Sequence, residues 1–357
     1  MVKKVIQQLD PYVPEKSLDE LKEELGLSSL VRLSANENVF GPSPKVEEAL
    51  KREGFSNLNL YPDSNLTELR DAVSRQFKIS GKNLVFGNGL DEIIELISRV
   101  VLEPGDEVIQ PWPTFSEYQL HAQIESAKIV NVPVEEDGAF DISKLLGAVN
   151  AKTRLIWFCN PNNPTGELVS RAEIAKFVES VPSETYVIVD EAYIDFTGDP
   201  KDSVIDLVAK YPNLIVMRTF SKAYGLANLR IGFGVFPAQL VGYLQAVRLP
   251  YAVNSVTELA ATVAVEDQSY VQKIVATVIS ERSKWQKFLK ANGFEFYPSY
   301  ANFVFFKAEN SDDLHEFLMK NGYLLRAGLR KGWLRVSIGK PQDNQRVREL
   351  ITKFYAK

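Results

Sequence analysis

Between residues 83 and 235 the chain alternates short, continuously apolar runs with longer stretches in which apolar positions recur every three to four residues. The short runs predict strands at Asn83–Phe86, Glu107–Gln110, Lys128–Val132, Arg154–Cys159, Tyr186–Asp190, Leu214–Arg218 and Ile231–Val235. The longer stretches predict helices at Asp91–Leu102, Phe115–Ser126, Arg171–Val181 and Ser203–Tyr211, with Gly, Pro and Asn marking the turns between them. Strands that alternate with helices build βαβ units, and all-apolar strands need cover on both faces. The expected fold is α/β, a seven-stranded mostly parallel sheet covered by helices. After Pro250 the texture changes to a long helical stretch, Val256–Ala291, followed by strand, helix, strand and helix. A smaller α+β domain is expected there. The first forty or so residues carry Pro11, Pro14, Gly41, Pro42 and Pro44 around one short helix, which suits an arm rather than a domain. The predicted division is 45–250 for the large unit, and 1–44 with 251–357 for the small one.

Composition narrows the possibilities. The 357 residues are 45% apolar and 24% charged, enough to bury a large core and too apolar for disorder. With 41 basic and 46 acidic residues spread along the chain, no basic footprint for nucleic acid is present. The single cysteine, Cys159, cannot form an internal disulfide, the N-terminus lacks a signal-peptide apolar region, and no apolar run approaches membrane-spanning length. A cytoplasmic protein without a membrane partner is expected. His121 and His315 are the only histidines, which leaves little for a zinc site or a histidine-based triad. His315 is expected to be a solvated surface residue beside Glu316, and His121 to be structural. Gly87-Asn-Gly-Leu-Asp-Glu92 places Glu92 where a dinucleotide-binding fingerprint needs its third glycine, and no GxxxxGK[ST] stretch occurs.

The chemistry must therefore rest on other groups. Arg218-Thr-Phe-Ser-Lys-Ala-Tyr-Gly-Leu-Ala-Asn-Leu-Arg230 follows an apolar strand, where α/β enzymes place reactive groups. A partly desolvated Lys222 there can form a Schiff base with an aldehyde cofactor, and Thr219, Ser221 and Arg230 suit a phosphate. A solvated loop lysine is the bland alternative for this segment taken alone. Asp190 ends an apolar strand, where a carboxylate is costly to bury without a cation or donor. A protonated pyridine nitrogen would answer that need and keep the ring electron-withdrawing. Asn163, in Asn160-Pro-Asn-Asn-Pro-Thr-Gly166, and Tyr193 are positioned after strands to bind a phenolic oxygen of the same ring. The backbone of Leu90 and Asp91, opening a helix after Gly87-Asn-Gly89, offers free N–H groups to a phosphate, and Phe115 offers a flat ring for stacking.

These segments together resemble the fold type I pyridoxal-phosphate enzymes of the aspartate aminotransferase superfamily. The subfamily cues are Leu33-Ser-Ala-Asn-Glu-Asn38 with Gly41-Pro-Ser-Pro44, Tyr61-Pro-Asp63, Asp190-Glu-Ala-Tyr-Ile-Asp-Phe196, and Thr219 to Gly232. They point to the histidinol-phosphate aminotransferase branch. Departures occur at Val39, Asn228 and Phe115, where the family more often has proline, glycine and tyrosine. The resemblance implies pyridoxal 5'-phosphate as cofactor and Lys222 as the Schiff-base lysine and proton carrier. It implies Asp190 for the pyridinium nitrogen, Asn163 and Tyr193 for the phenolic oxygen, Phe115 for stacking, and Leu90, Asp91, Thr219, Ser221 and Arg230 for the phosphate. It further implies that Tyr61 comes from a neighbouring subunit, hence a homodimer with shared active sites. The large unit is then the cofactor domain and the small one selects the substrate.

Strand alternation in Trp333-Leu-Arg-Val-Ser-Ile338 turns Arg335 away from the apolar face. By resemblance Arg335 binds an acidic substrate group, with Arg326, Tyr12 and Asn36 as further substrate contacts; a surface salt bridge is the alternative for Arg326 and Arg330. The implied reaction is transamination between L-histidinol phosphate and 2-oxoglutarate, giving imidazole-acetol phosphate and L-glutamate, a step of histidine biosynthesis with small-molecule amino donor and 2-oxo acid as partners. Alternatives are an aromatic-amino-acid aminotransferase, a threonine-phosphate decarboxylase, and a non-catalytic regulator with an aminotransferase-like sensor domain.

Overall fold

The computed structural model describes residues 2–9, 16–56 and 58–356. Its strands are β1 (Val31–Leu33), β2 (Leu84–Gly87), β3 (Glu107–Trp112), β4 (Lys128–Pro133), β5 (Thr153–Cys159), β6 (Tyr186–Asp190), β7 (Leu214–Thr219), β8 (Gly232–Val235), β9 (Phe296–Tyr297), β10 (Phe303–Lys307), β11 (Tyr323–Leu325) and β12 (Trp333–Ser337). The helices are α1 (Leu18–Leu25), α2 (Pro44–Glu53), α3 (Thr67–Phe77), α4 (Gly89–Val101), α5 (Ser116–Ile124), α6 (Ile142–Gly147), α7 (Arg171–Ser180), α8 (Ala238–Val247), α9 (Ser255–Glu266), α10 (Gln268–Ala291), α11 (Ser311–Lys320) and α12 (Pro341–Tyr355).

A seven-stranded sheet runs β2-β8-β7-β6-β5-β3-β4, with β8 alone antiparallel to its neighbours. The sheet is the mixed, mostly parallel one expected. Its central strands are fully apolar because helices cover both faces: every residue of β7 is buried, as are Val187–Asp190 in β6. Register fixes where the loops emerge. Cys159 lies opposite Asp190 and Asp190 opposite Met217, while Thr219 and Gly87 both lie opposite Gly232. The segments after β2, β5, β6 and β7, and the one before β8, therefore gather at one edge of the sheet.

The chain's two ends meet. Strand β1 pairs in parallel with β11, and β12-β10-β9 forms a separate antiparallel sheet. That pairing carries Ser34–Asn36, immediately after β1, to the same edge as the loops of the large sheet. Helix starts follow their sequence signals: α1 and α7 each open with a capping box, Ser17 with Glu20 and Ser170 with Glu173.

Three local expectations are corrected. The stretch 256–291 is two helices, broken at Asp267, whose carboxylate accepts hydrogen bonds from Ser43 Oγ at 2.5 Å, Ser269 Oγ at 2.9 Å and Lys45 Nζ at 3.0 Å. The break ties α10 to the first turn of α2, which a continuous helix would not do. The stretch 203–211 holds only a 3₁₀ turn at Ile205–Ala209, because the Glu191 carboxylate takes the Ser203 hydroxyl (2.6 Å) and the Val204 N–H (2.7 Å). His315 is half-buried on α11 with Nε2 3.0 Å from the Leu325 carbonyl, and Glu316 pairs with Lys320 instead.

Candidate active site

The gathered loops enclose a cavity of about 410 Å³. All of the expected cofactor residues except Tyr61 line it: Leu90 and Asp91 after β2; Phe115 after β3; Asn163 after β5; Asp190 and Tyr193 at and after β6; and Thr219, Ser221, Lys222 and Arg230 around β7. Tyr61 lies outside, 83% exposed and stacked on Tyr251 at 4.8 Å. Ala35, Cys159, Ala192 and Asn228 also line the cavity and were not expected. A second space of about 500 Å³ shares Lys222, Tyr193, Asn163 and Phe115 with the first, and adds Arg335, Arg326 and Asn36. Tyr12 lies outside the described residues.

Lys222 is half-buried at the cavity wall, and its Nζ donates to the Ala35 carbonyl at 3.1 Å. Burial, reinforced by the positive charge of Arg335, brings its pKa down to about 8. Asp190 is a buried carboxylate with hydrogen-bond donors but, among the described residues, no cationic partner. Tyr118 Oη donates to Oδ2 at 2.6 Å, and the Ala192 N–H donates to Oδ1 at 3.0 Å. Burial raises its pKa to about 6 against those two bonds. A cation arriving at this carboxylate would bring that value down again. Tyr118 was not anticipated. It is fully buried on α5, stacked on Trp157 at 4.3 Å with 5° between the ring planes, and meets Phe115 edge-on at 5.6 Å. Its only sequence signal is the three-residue spacing from Phe115, which puts both rings on one side of the chain entering α5.

The next residue, Glu191, faces the opposite way. It pairs with the buried Arg218 at 3.2 Å, and Arg218 reaches Asp195 at 2.5 Å. This ion-pair network locks the β6–β7 register, so that Asp190 and Thr219 are held from behind.

The start of α4 is built for an anion. Asn88 gives it no side-chain cap, so the first N–H groups face the cavity with the positive end of the helix dipole. Gly89 has φ +79°, and a Cβ there would lie 2.4 Å from Arg230 Nη2, so only glycine leaves room for the guanidinium beside the helix end. Arg230 also contacts Asp91 at 3.1 Å. Thr219 Oγ1 accepts the Ser221 N–H at 3.1 Å, which holds the Thr219 hydroxyl at the cavity rim that Ser221 also lines.

On the other wall Asn36, at φ +56°, organises the first segment after β1. Its Nδ2 donates to Tyr193 Oη at 3.2 Å, its N–H donates to Ser337 Oγ at 2.8 Å, and its carbonyl accepts Asn302 Nδ2 at 2.9 Å. Arg335 is 6% exposed, donates through Nη2 to the Ser34 carbonyl at 2.6 Å and through Nη1 to Asn163 Oδ1, and lies over the Phe303 ring. The β-bridge between Arg326 and Arg335 sets the two arginines side by side.

These features fit pyridoxal phosphate. An anion cradle, a carboxylate in want of a cation, and a partly desolvated amine of depressed pKa line one cavity, at positions suited to a phosphate, a ring nitrogen and an aldehyde. A family model described as aminotransferase class I and II matches residues 28–351. A histidinol-phosphate aminotransferase of Lactiplantibacillus plantarum is 48% identical over 356 residues, covering 99% of this chain and 100% of that protein. One from Limosilactobacillus fermentum is 45% identical, with 98% of each chain covered. The crystal structure of histidinol-phosphate aminotransferase from Sinorhizobium meliloti in complex with pyridoxal-5'-phosphate superposes with a TM-score of 0.89 at 27% identity, over 99% of this chain and 98% of that one.

Proposed function

We infer that this chain, which belongs to the aminotransferase class I and II family, transfers the amino group of L-histidinol phosphate to 2-oxoglutarate, giving imidazole-acetol phosphate and L-glutamate. The observation that carries the reading is the pairing, in one cavity, of the Lys222 amine with pKa about 8 and the cation-free Asp190 carboxylate. The substrate comes from the near full-length similarity to histidinol-phosphate aminotransferases.

Enzymes of this family use pyridoxal phosphate, which when bound supplies an electrophilic carbonyl carbon and an electron-withdrawing ring. The α4 N-terminus with Thr219, Ser221 and Arg230 would hold its phosphate, Asp190 its ring nitrogen, Asn163 and Tyr193 its phenolic oxygen, and Phe115 its ring face. With a pKa of about 8, roughly a tenth of the Lys222 amines are neutral at pH 7, so the group is both nucleophile and proton carrier. The Ala35 carbonyl keeps Nζ aimed into the cavity while it waits. Arg335 offers a planar fork to the substrate phosphate, or to a carboxylate of the 2-oxo acid in the other half-reaction. Arg326 lies beside it, and Asn36 closes that wall through Tyr193.

Two further readings belong to this proposal. The division into 45–250 as cofactor unit and 1–44 with 251–357 as substrate unit follows the split between the large sheet and the β12-β10-β9 sheet. A homodimer is the other part of the proposal, and the face around Tyr61 supports it. Leu58, Leu60, Tyr61, Leu249 and Tyr251 are exposed, and Arg248 donates to the Ser64 carbonyl at 2.8 Å, which brings the two segments together as one apolar patch. The described residues contain no helix long and apolar enough to cross a membrane, and the one cysteine is a buried free thiol. These features agree with the cytoplasm as the compartment.

Steady-state rates with histidinol phosphate and phenylalanine as competing donors test the substrate. Histidinol phosphate is expected to be preferred at least tenfold in kcat/KM, and a preference for phenylalanine overturns the assignment. Release of carbon dioxide from phosphothreonine would move the enzyme to the decarboxylases.

A further inference from the structure

A separate cavity, of about 450 Å³, lies between α10 and the turn from β9 to β10. Its polar wall is Arg282, Gln286, Lys287 and Lys290 from α10 with Ser299 and Tyr300 from the turn, and no carboxylate lines it. Positions 282, 286 and 290 repeat every fourth residue and so share one helix face. Arg282 is only 6% exposed. Its Nη1 donates to the carbonyls of Phe196 (2.9 Å) and Ala301 (2.8 Å), while its Nε and Nη2 make no hydrogen bond among the described residues, and no carboxylate is in ion-pair range. Burial without a counter-charge pulls its pKa down to about 10. Lys287 and Lys290 are exposed and enter no ion pair among the described residues. The nearby acids are engaged elsewhere: Glu281 with Lys284 and Asn344, and Glu295 with Lys307.

A buried guanidinium normally has an anionic partner, because its desolvation is otherwise uncompensated. The larger cavity around Arg218, of about 790 Å³, shows the usual solution: Arg218 has Glu191 and Asp195, and Arg171 has Asp206. At Arg282 the protein supplies only carbonyl oxygens, and two ammonium groups stand at the mouth.

We propose that the Arg282–Lys287–Lys290 cavity is a binding site for a phosphate oxyanion, either inorganic phosphate or the phosphate of a small monoester. The guanidinium fork at the base meets two oxygens, the two lysines neutralise the remaining charge, and the Ser299 and Tyr300 side chains form the opposite wall. Ile279 and Phe296 add apolar surface on which the organic part of a monoester can lie. The site is built against the loop that carries Asn163. The Tyr300 N–H donates to the Gly166 carbonyl at 2.8 Å, and a Cβ on Gly166 would sit 2.5 Å from Ser299 Oγ. The proposal is independent of which amino donor the enzyme uses.

The test is isothermal titration of the pyridoxal-phosphate-loaded enzyme with inorganic phosphate and, separately, phenyl phosphate at constant ionic strength, comparing wild type with the Lys287→Glu/Lys290→Glu double variant. Both lysines are exposed, so the double variant is expected to fold and to keep its transamination rate in phosphate-free buffer. Wild type is expected to bind one phosphate per chain more than the variant does. Arg282→Lys, which keeps the charge and loses the fork, is expected to weaken that site at least tenfold. Tighter binding of phenyl phosphate than of phosphate identifies the ligand as a monoester, and equal binding as free phosphate. Identical isotherms for wild type and double variant, or equal displacement by chloride, overturn the proposal.

Discussion

Replacing Tyr118 by Phe removes one atom from the site and is expected to move the pH at which the apoenzyme takes up its cofactor. The phenyl ring keeps the stack on Trp157, so packing is preserved and the main loss is the 2.6 Å hydrogen bond to Asp190 Oδ2. A bond to a buried charged group contributes about 1.5–3 kcal/mol. At 1.36 kcal/mol per pKa unit, losing it raises the Asp190 pKa by about 1–2 units from its value of about 6. The sign follows from what the bond does: Tyr118 stabilises the carboxylate, so its removal favours the protonated acid. In wild type Asp190 is mostly ionised at pH 7 and ready to pair a protonated ring nitrogen. In Tyr118→Phe half or more of the molecules would be protonated there. The assay is the pyridoxal phosphate dissociation constant of the apoenzyme from pH 5 to 9, followed by absorbance. Ionisations of the cofactor itself are common to both proteins and cancel in the difference. Affinity should weaken below about pH 6 in wild type, and the break should lie about 1–2 pH units higher in the variant. A break that stays within about 0.3 units of wild type, or shifts downward, would refute Tyr118 as the group that keeps Asp190 charged.

Lys222→Ala is expected to abolish transamination and the visible absorption band of the lysine-bound cofactor while the melting temperature of the apoenzyme stays near wild type; a variant that keeps the band rules out this lysine. Gly89→Ala places a Cβ 2.4 Å from Arg230 Nη2 at a backbone φ of +79°, so the guanidinium must leave the helix end. Cofactor affinity should fall about tenfold or more, the effect of losing roughly 1.4 kcal/mol or more of charge-assisted bonding. Asp267 has its pKa lowered to about 2, first by the Ser43 hydroxyl and then by Lys45. Its folded value lies below its unfolded one, so its contribution is present above about pH 4 and is lost as pH falls towards 2. Asp267→Asn should therefore lower the melting temperature at neutral pH and leave a smaller difference from wild type near pH 2, as read by thermal melts across that range.

Much of the cofactor cavity was legible because of how parallel sheets present their loops. Lys222, Asp190 and Asn163 each lie at or within a few residues of an apolar strand's C-terminal end, and strands running the same way deliver those ends to one edge whatever their order; Arg230 reaches that edge by standing just before the antiparallel β8. Tyr118 was not legible. It lies in an ordinary amphipathic helix, and its partner is 72 residues away across β3 and β5. The helix break at Asp267 was hidden for the same reason: the apolar period runs on through it, and only Ser43 and Lys45, brought in from the first turn of α2, make a bend there favourable. His315, set apart as a surface residue, meets a carbonyl supplied by β11.

The sequence by itself determined the elements and the chemistry they carry, since the partition of side chains between core and water has a period that each strand or helix writes locally. It thereby determined that a lysine, a carboxylate and an anion cradle would share one sheet edge. The tertiary structure decided which groups satisfy one another. Asn36 against Tyr193 and Ser337, Arg335 against Ser34 and Asn163, Tyr118 beneath Asp190, and Arg282 without an acid all depend on β1 pairing with β11 and on how α5 and α10 pack. A hydrogen bond needs its partner within about 3 Å and correctly aimed. Residues hundreds of positions apart meet that condition only after the chain's ends have closed over the sheet.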